Sequence, residues 1–212
     1  EHYDGTSWTE SGDLSQARQD LGGCGTQTAA LAFAGSEYVP QTNNFNVTEE
    51  YNGTSWTNGG AMNTTVQQMG DAGIQTAALS FGGNEPTITT TEEYDGSSWT
   101  VVNSMSTARV GLAGAGIQTS ALAFGGSTDG SSGGRTAATE GYDGTSWSSR
   151  PNMATARRLQ AGNGSTNLAA LAAGGYTTTN VAIAEEFNVT AATITAAAWA
   201  SGGNLNTGGR AG

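Results

Sequence analysis

The segments "TEEYNGTSWT" (48–57), "TEEYDGSSWT" (91–100) and "TEGYDGTSWS" (139–148) are near copies of one another, and "EHYDGTSWT" opens the chain. A second block reads most cleanly as "MSTARVGLAGAGIQTSALAFGG" from Met105. It also starts at Leu14, Met62 and Met153, and begins again at Leu205, at steps of 48, 43, 48 and 52 residues. This repeat is what most limits the fold. Each copy is one small structural unit that cannot bury its apolar face alone, so copies must stack. Repeats over 14–57, 62–100, 105–148 and 153–200, with fragments at 1–9 and 205–212, place residues 1–212 in a single domain. Opening at Glu1 and stopping mid-repeat, the sequence reads as a processed or partial chain.

Each unit divides into four strands. The first is a small-residue run such as Val110–Ala115, whose glycines allow close approach at a crowded place. The second is "TAALSF" or "TSALAF", with Leu79 and Phe81 on one face and Ala78 and Ser80 on the other, because side chains alternate. A Gly-Gly pair ends it, "TEEY" forms the third strand, and the fourth begins near the tryptophan. Asp95-Gly96 and Asn52-Gly53 predict a two-residue type I′ hairpin. That turn would pair Tyr94 with Ser97 and set Glu92 opposite Trp99. So small a sheet is unstable by itself in water, so the Leu, Phe, Tyr and Trp faces must pack against neighbouring copies. Solenoid coils usually run about 20–30 residues, so the longer unit favours propeller blades over a linear stack.

Three features in fixed order carry a resemblance. They are the Gly-Gly closing the second strand (Gly82, Gly83, Gly125, Gly126), a tyrosine in the third (Tyr51, Tyr94, Tyr142), and a tryptophan five residues on (Trp56, Trp99, Trp147), with Trp199 in the last copy. Together they resemble the kelch signature over essentially the whole chain. The resemblance implies an all-β, kelch-like β-propeller of four-stranded antiparallel blades. It implies four complete repeats plus one split, incomplete blade shared by the two ends, about five blades in all. The Ala/Gly/Thr-rich copies look most like kelch-like proteins of marine phage and environmental bacteria, which implies an extracellular or virion-associated location. The chain departs from the pattern at Ala173, where the other copies have Phe, and at Phe187, which replaces Tyr. Seven extra residues precede Trp199, and Val66 replaces the arginine seen at Arg18, Arg109 and Arg157.

The net charge is −11 with no lysine, so phosphate backbones are repelled and nucleic acid is not an expected partner. No apolar run approaches the ~20 residues of a membrane helix, and no membrane insertion is expected. The Glu pairs (Glu49/Glu50, Glu92/Glu93, Glu185/Glu186) recur in register, and adjacent strand residues face opposite ways, so they do not form a glycosidase pair. One glutamate of each pair is expected to meet a neighbouring arginine, with Arg18, Arg109 and Arg157 as the candidates, or backbone amides, and the other to be solvated. Cys24 stands at a repeat-equivalent alanine position and reads as a small buried filler. His2 is the lone histidine. A copper centre and a Ser–His–Asp or Cys–His pair therefore lack their ligands, and no enzyme, metal or cofactor is expected.

What varies is the loop between the second and third strands: "SEYVPQTNNFNVT", "NEPTITT", "STDGSSGGRTAA" and "YTTTNVAIA". Loops that differ on a repeated frame are where recognition is placed. Tyr38, Asn43, Asn44, Phe45, Asp129, Arg135, Tyr176 and Asn180 are the candidate ligand-binding residues. They offer aromatic and amide groups suited to a glycan or a protein of a host or virion surface, and an oligomer or larger assembly fits such a role; the alternatives are a purely structural spacer with no ligand and a glycan-active propeller enzyme.

Overall fold

The structure, a computed structural model, describes residues 1–37, 43–84, 87–131 and 133–189. Among the described residues there are strands, turns and bends but no helix. A hairpin of β1 (His2–Tyr3) and β2 (Trp8–Thr9) comes first. The first blade is β3 (Gly22–Thr26), β4 (Ala29–Phe33), β5 (Thr48–Tyr51) and β6 (Trp56–Asn58). The second is β7 (Gly70–Ile74), β8 (Ala77–Phe81), β9 (Thr91–Tyr94) and β10 (Trp99–Val102). The third is β11 (Ala113–Ile117), β12 (Ser120–Phe124), β13 (Thr139–Tyr142) and β14 (Trp147–Arg150). The fourth has β15 (Ala161–Thr166), β16 (Ala169–Ala173) and β17 (Ala184–Asn188) described.

Every sheet is an antiparallel meander in chain order, and the leading strands β3, β7, β11 and β15 lie side by side. This is a β-propeller of four blades. The first hairpin supplies part of a fifth blade. It leans on the first blade through the His2–Tyr51 ring pair (5.4 Å, edge-on) and through Gln27 Nε2, which donates to the Tyr3 carbonyl at 2.8 Å. Trp199 and the segment 205–212 lie outside the described residues.

Leading strands are rich in small residues because they converge. A Cβ at Gly162 would sit 2.5 Å from the Gly114 carbonyl, and one at Gly114 would overlap the Asp71 backbone. The expected first strand from Val110 begins instead at Ala113. Gly111 takes φ +60° and breaks the extended run, leaving Val110 in a single bridge to Ser127.

The third-to-fourth-strand hairpin differs from the type I′ expectation. Trp99 pairs with Tyr94 and Val101 with Glu92, so the loop is Asp95–Ser98. Only the glycine has positive φ (+90°). The Asp95 carboxylate accepts the Ser97 and Ser98 amides, both at 2.8 Å, and so closes the turn by a side chain. Asp4, Asn52 and Asp143 do the same in their copies.

Blades meet through opposite faces. Leu and Phe of the second strand point toward the next blade, and Tyr and Trp of the following hairpin point back to them. Phe33 and Trp99 rings lie 4.9 Å apart while the Trp99 indole donates to Thr48 Oγ1 at 2.8 Å. Phe81, Trp147 and Thr91 repeat the arrangement at 4.9 and 3.0 Å. Leu31, Phe33, Leu79, Phe81 and Leu122 are fully buried in these seams. Each contributes about 1.5–3 kcal/mol relative to an exposed side chain.

Inside three of the four blades an arginine ties the entering loop to the sheet. Arg18 and Arg157 pair with Glu49 and Glu185 of the expected glutamate pairs at 3.1 and 3.4 Å, and Arg109 pairs with Glu140, which stands outside those pairs, at 3.0 Å. Arg109 also donates to the Gly125 and Ala138 carbonyls. A buried pair of this kind fixes register, and removing one partner costs about 3–5 kcal/mol. The second blade shows how an apolar residue can stand there. Val66 is buried, and Glu92 instead accepts Asn63 N, Asn63 Nδ2 and Thr64 N at 2.8–2.9 Å. Ser106 occupies the Asn63 position in the third blade. Arg109→Val should therefore lower stability by about 3 kcal/mol. Adding Ser106→Asn should restore part of that in denaturant unfolding, and no recovery would contradict the substitution rule.

Candidate functional site

Residues that differ between blades converge on one side of the propeller. Asp20, Gln68, Gly111 and Leu159 occupy equivalent positions just before the leading strands, all with φ between 53° and 60°. Their backbones join head to tail. Gln68 N donates to the Asp20 carbonyl at 3.0 Å, Gly111 N to Gln68 at 2.8 Å and Leu159 N to Gly111 at 2.7 Å. This belt forms the inner rim. For a residue with a Cβ the left-handed conformation costs about 1–2 kcal/mol, and such strain gathers where structure serves recognition. The flanking repeat is conserved between blades while the rim residue itself changes from Asp to Gln, Gly and Leu. The change from Asp20 to Gln68, Gly111 and Leu159 within an otherwise repeated stretch is a signal present in the sequence itself.

The variable loops are wired to this rim. Single bridges run Gln19–Ser36–Asn44 in the first blade, Val110–Ser127–Arg135 in the third and Arg158–Tyr176–Asn180 in the fourth. Each begins one residue before a rim position. Asn44, Arg135, Tyr176 and Asn180 thus lie on short ladders leading to the rim. Neighbouring loops also touch: the Asn44 amide approaches the Asn84 carbonyl at 3.5 Å, and Arg158 Nη1 donates to the Gly130 carbonyl at 2.7 Å.

The remaining candidates have more local partners. Asn43 is bonded to Glu37 by side chain and backbone. Phe45 is half-buried and its backbone is bonded on both sides, to Gly35 and Val66. Asp129 accepts Ser131 N at 2.8 Å and Ser127 Oγ at 3.0 Å, and these bonds hold its carboxyl below the usual range. Tyr38 lies outside the described residues.

Other polar groups face the seams. The second glutamate of each pair, expected to be solvated, is engaged in two blades. Tyr94 bonds to Glu50 and Tyr142 Oη donates to Glu93 at 2.8 Å, each across a seam. Strand alternation causes this, since the first glutamate faces its arginine and the second the next blade. Burial, with Glu50 next, pushes the Tyr94 phenol up to about 12. These pairs hold blades together and are not poised for chemistry. Cys24 behaves likewise. Burial, aided by nearby Asp71, pushes its thiol up to about 12, so it is not a nucleophile at neutral pH. Among the described residues no group of three or more metal-ligating side chains converges.

Asp71 stands where the other blades have Gly23, Gly114 and Gly162, and its Oδ2 accepts Gly23 N across the first seam at 2.6 Å. Burial pushes its carboxyl up to about 6, against the pull of that hydrogen bond. A raised folded-state pKa means the native protein holds the proton more tightly than the unfolded chain. Stability therefore falls as pH rises from about 4 to about 6. Asp71→Asn should remove that part of the slope in melting curves between pH 4 and 7. It should raise stability at pH 7 while changing little at pH 4.

No protein-family model matches the sequence, and no curated protein matches it either.

Proposed function

We propose that this chain is a non-enzymatic, kelch-like binding propeller of a virion or other extracellular surface. Its rim and variable loops present a glycan or protein-binding face. The observation that carries this reading is the division of labour within the repeat. What is copied holds turns, seams and arginine pairs, whereas what varies lies along the left-handed rim and the ladders leading to it. Propellers are commonly binding or structural modules, and function resides in what is added to the frame. Supporting the non-enzymatic part, the sole histidine lies on the first hairpin, packed edge-on against the Tyr51 ring. The carboxylates that recur are committed to arginines, amides and tyrosines.

Glycan arrays and pull-downs from host-surface extracts test the reading. A bound glycan or surface protein should lose affinity at least about tenfold, roughly the 1.4 kcal/mol of one good contact, on Phe45→Ala or Tyr176→Ala with melting temperature unchanged. Tyr38→Ala belongs in the same series. Absence of any ligand would leave a structural spacer, and turnover of a polysaccharide would refute the non-enzymatic reading.

A further inference from the structure

We infer that the loop-side cavity of the fourth blade is a site for a carboxylated sugar, gripped by Arg158 and Tyr176. The inference rests on the loop-side binding face proposed above and names the ligand class of one part of it. The cavity holds about 340 Å³ and is lined by Arg158, Leu159, Gly175, Tyr176, Asn180 and Val181.

Arg158 lacks the carboxylate partner that three of the other five described arginines have. Among the described residues the ion pairs are those of Arg18, Arg109 and Arg157, and Arg158 is in none of them. In a chain of net charge −11, an arginine without a carboxylate partner is an unmatched cation. It is also held in place. Its backbone exchanges hydrogen bonds with Tyr176 at 3.1 and 2.8 Å, and Nη1 donates to Gly130 in the neighbouring loop. The guanidinium stands over the Tyr176 ring, 5.8 Å from its centre. The Nε is buried with no partner among the described residues. The nearby acid, Asp129, is turned into its own loop by Ser127 and Ser131.

The chemistry of the lining narrows the ligand. A guanidinium fixed by a ring and a carbonyl retains donors for a planar carboxylate. Leu159, half-exposed with φ +56°, and the Tyr176 ring offer apolar surface to the C–H face of a sugar. The exposed Asn180 amide offers both a donor and an acceptor to hydroxyls. A cavity of this size suits one sugar ring of a uronate or sialate better than an extended peptide.

The test uses the full chain at about 0.15 M ionic strength, where long-range repulsion by the acidic protein is largely screened. Titration calorimetry or ligand-observed NMR would compare glucuronic acid and N-acetylneuraminic acid with their methyl esters. The acids should bind and the esters at least tenfold more weakly. Arg158→Gln should abolish the difference. Asn180→Asp, which adds a negative charge without touching the arginine, should weaken the acids at least tenfold and the esters little. Equal binding of acid and ester, or unchanged affinity in both variants at unchanged melting temperature, would overturn the inference. Binding of an acidic peptide without either sugar acid would also overturn it. A neutral glycan lost on Phe45→Ala but indifferent to Arg158→Gln would keep the loop-side function and sink only this site. No ligand of any kind would sink both.

Discussion

At the first two seams between blades an acid on one blade meets a tyrosine on the next. Glu50 takes Tyr94 and Glu93 takes Tyr142, each beside a Phe–Trp ring pair whose indole is bonded to a threonine of the preceding blade. The apolar rings supply most of the burial energy. The hydroxyl–carboxylate bond decides alignment, because a buried phenol or carboxylate left alone costs about 1–3 kcal/mol or more. At the third seam both members change together: Gly141 stands in the glutamate position and Phe187 in the tyrosine position. Two departures that look unrelated along the chain are one substitution in space.

The same logic separates frame from face. Arginine pairs, Asx-closed hairpins and seam contacts recur because each blade has the same burial problem. The second blade solves one of these problems differently, with Val66 in place of an arginine and amides around Glu92. The rim belt is also shared, but only through its backbone. Its side chains differ from blade to blade while the backbone bonds persist, and Gln68 Nε2 also donates to Asp20 Oδ2 at 2.9 Å.

Much of the frame was legible in the sequence, because period, glycine pairs and alternating strands are local signals. The Arg–Glu pairing followed from equal phase in each copy. The hairpin was misread because Asp-Gly fits two turns. The register is decided by the Asp95 carboxylate reaching Ser97 and Ser98, which a dipeptide does not reveal. The solvated reading of Glu50 and Glu93 failed because their partners lie more than forty residues away, on the next blade. Asn44, Arg135, Tyr176 and Asn180 were found as variable-loop residues, but their link to Asp20, Gln68 and Leu159 depends on bridges that only folding creates.

The acid–tyrosine rule is tested most directly by writing it into the seam that lacks it. Gly141→Glu and Phe187→Tyr would be compared singly and together by denaturant unfolding. Arg150, which now lies over Gly141, is a flexible neighbour that can move aside. Phe187→Tyr alone should destabilise, since it adds a hydroxyl to the seam without its acceptor, whereas Gly141→Glu alone sets its carboxylate beside the Arg150 guanidinium. The double variant should recover at least about 1 kcal/mol beyond additivity. Strictly additive losses would contradict the claim that these pairs align the blades.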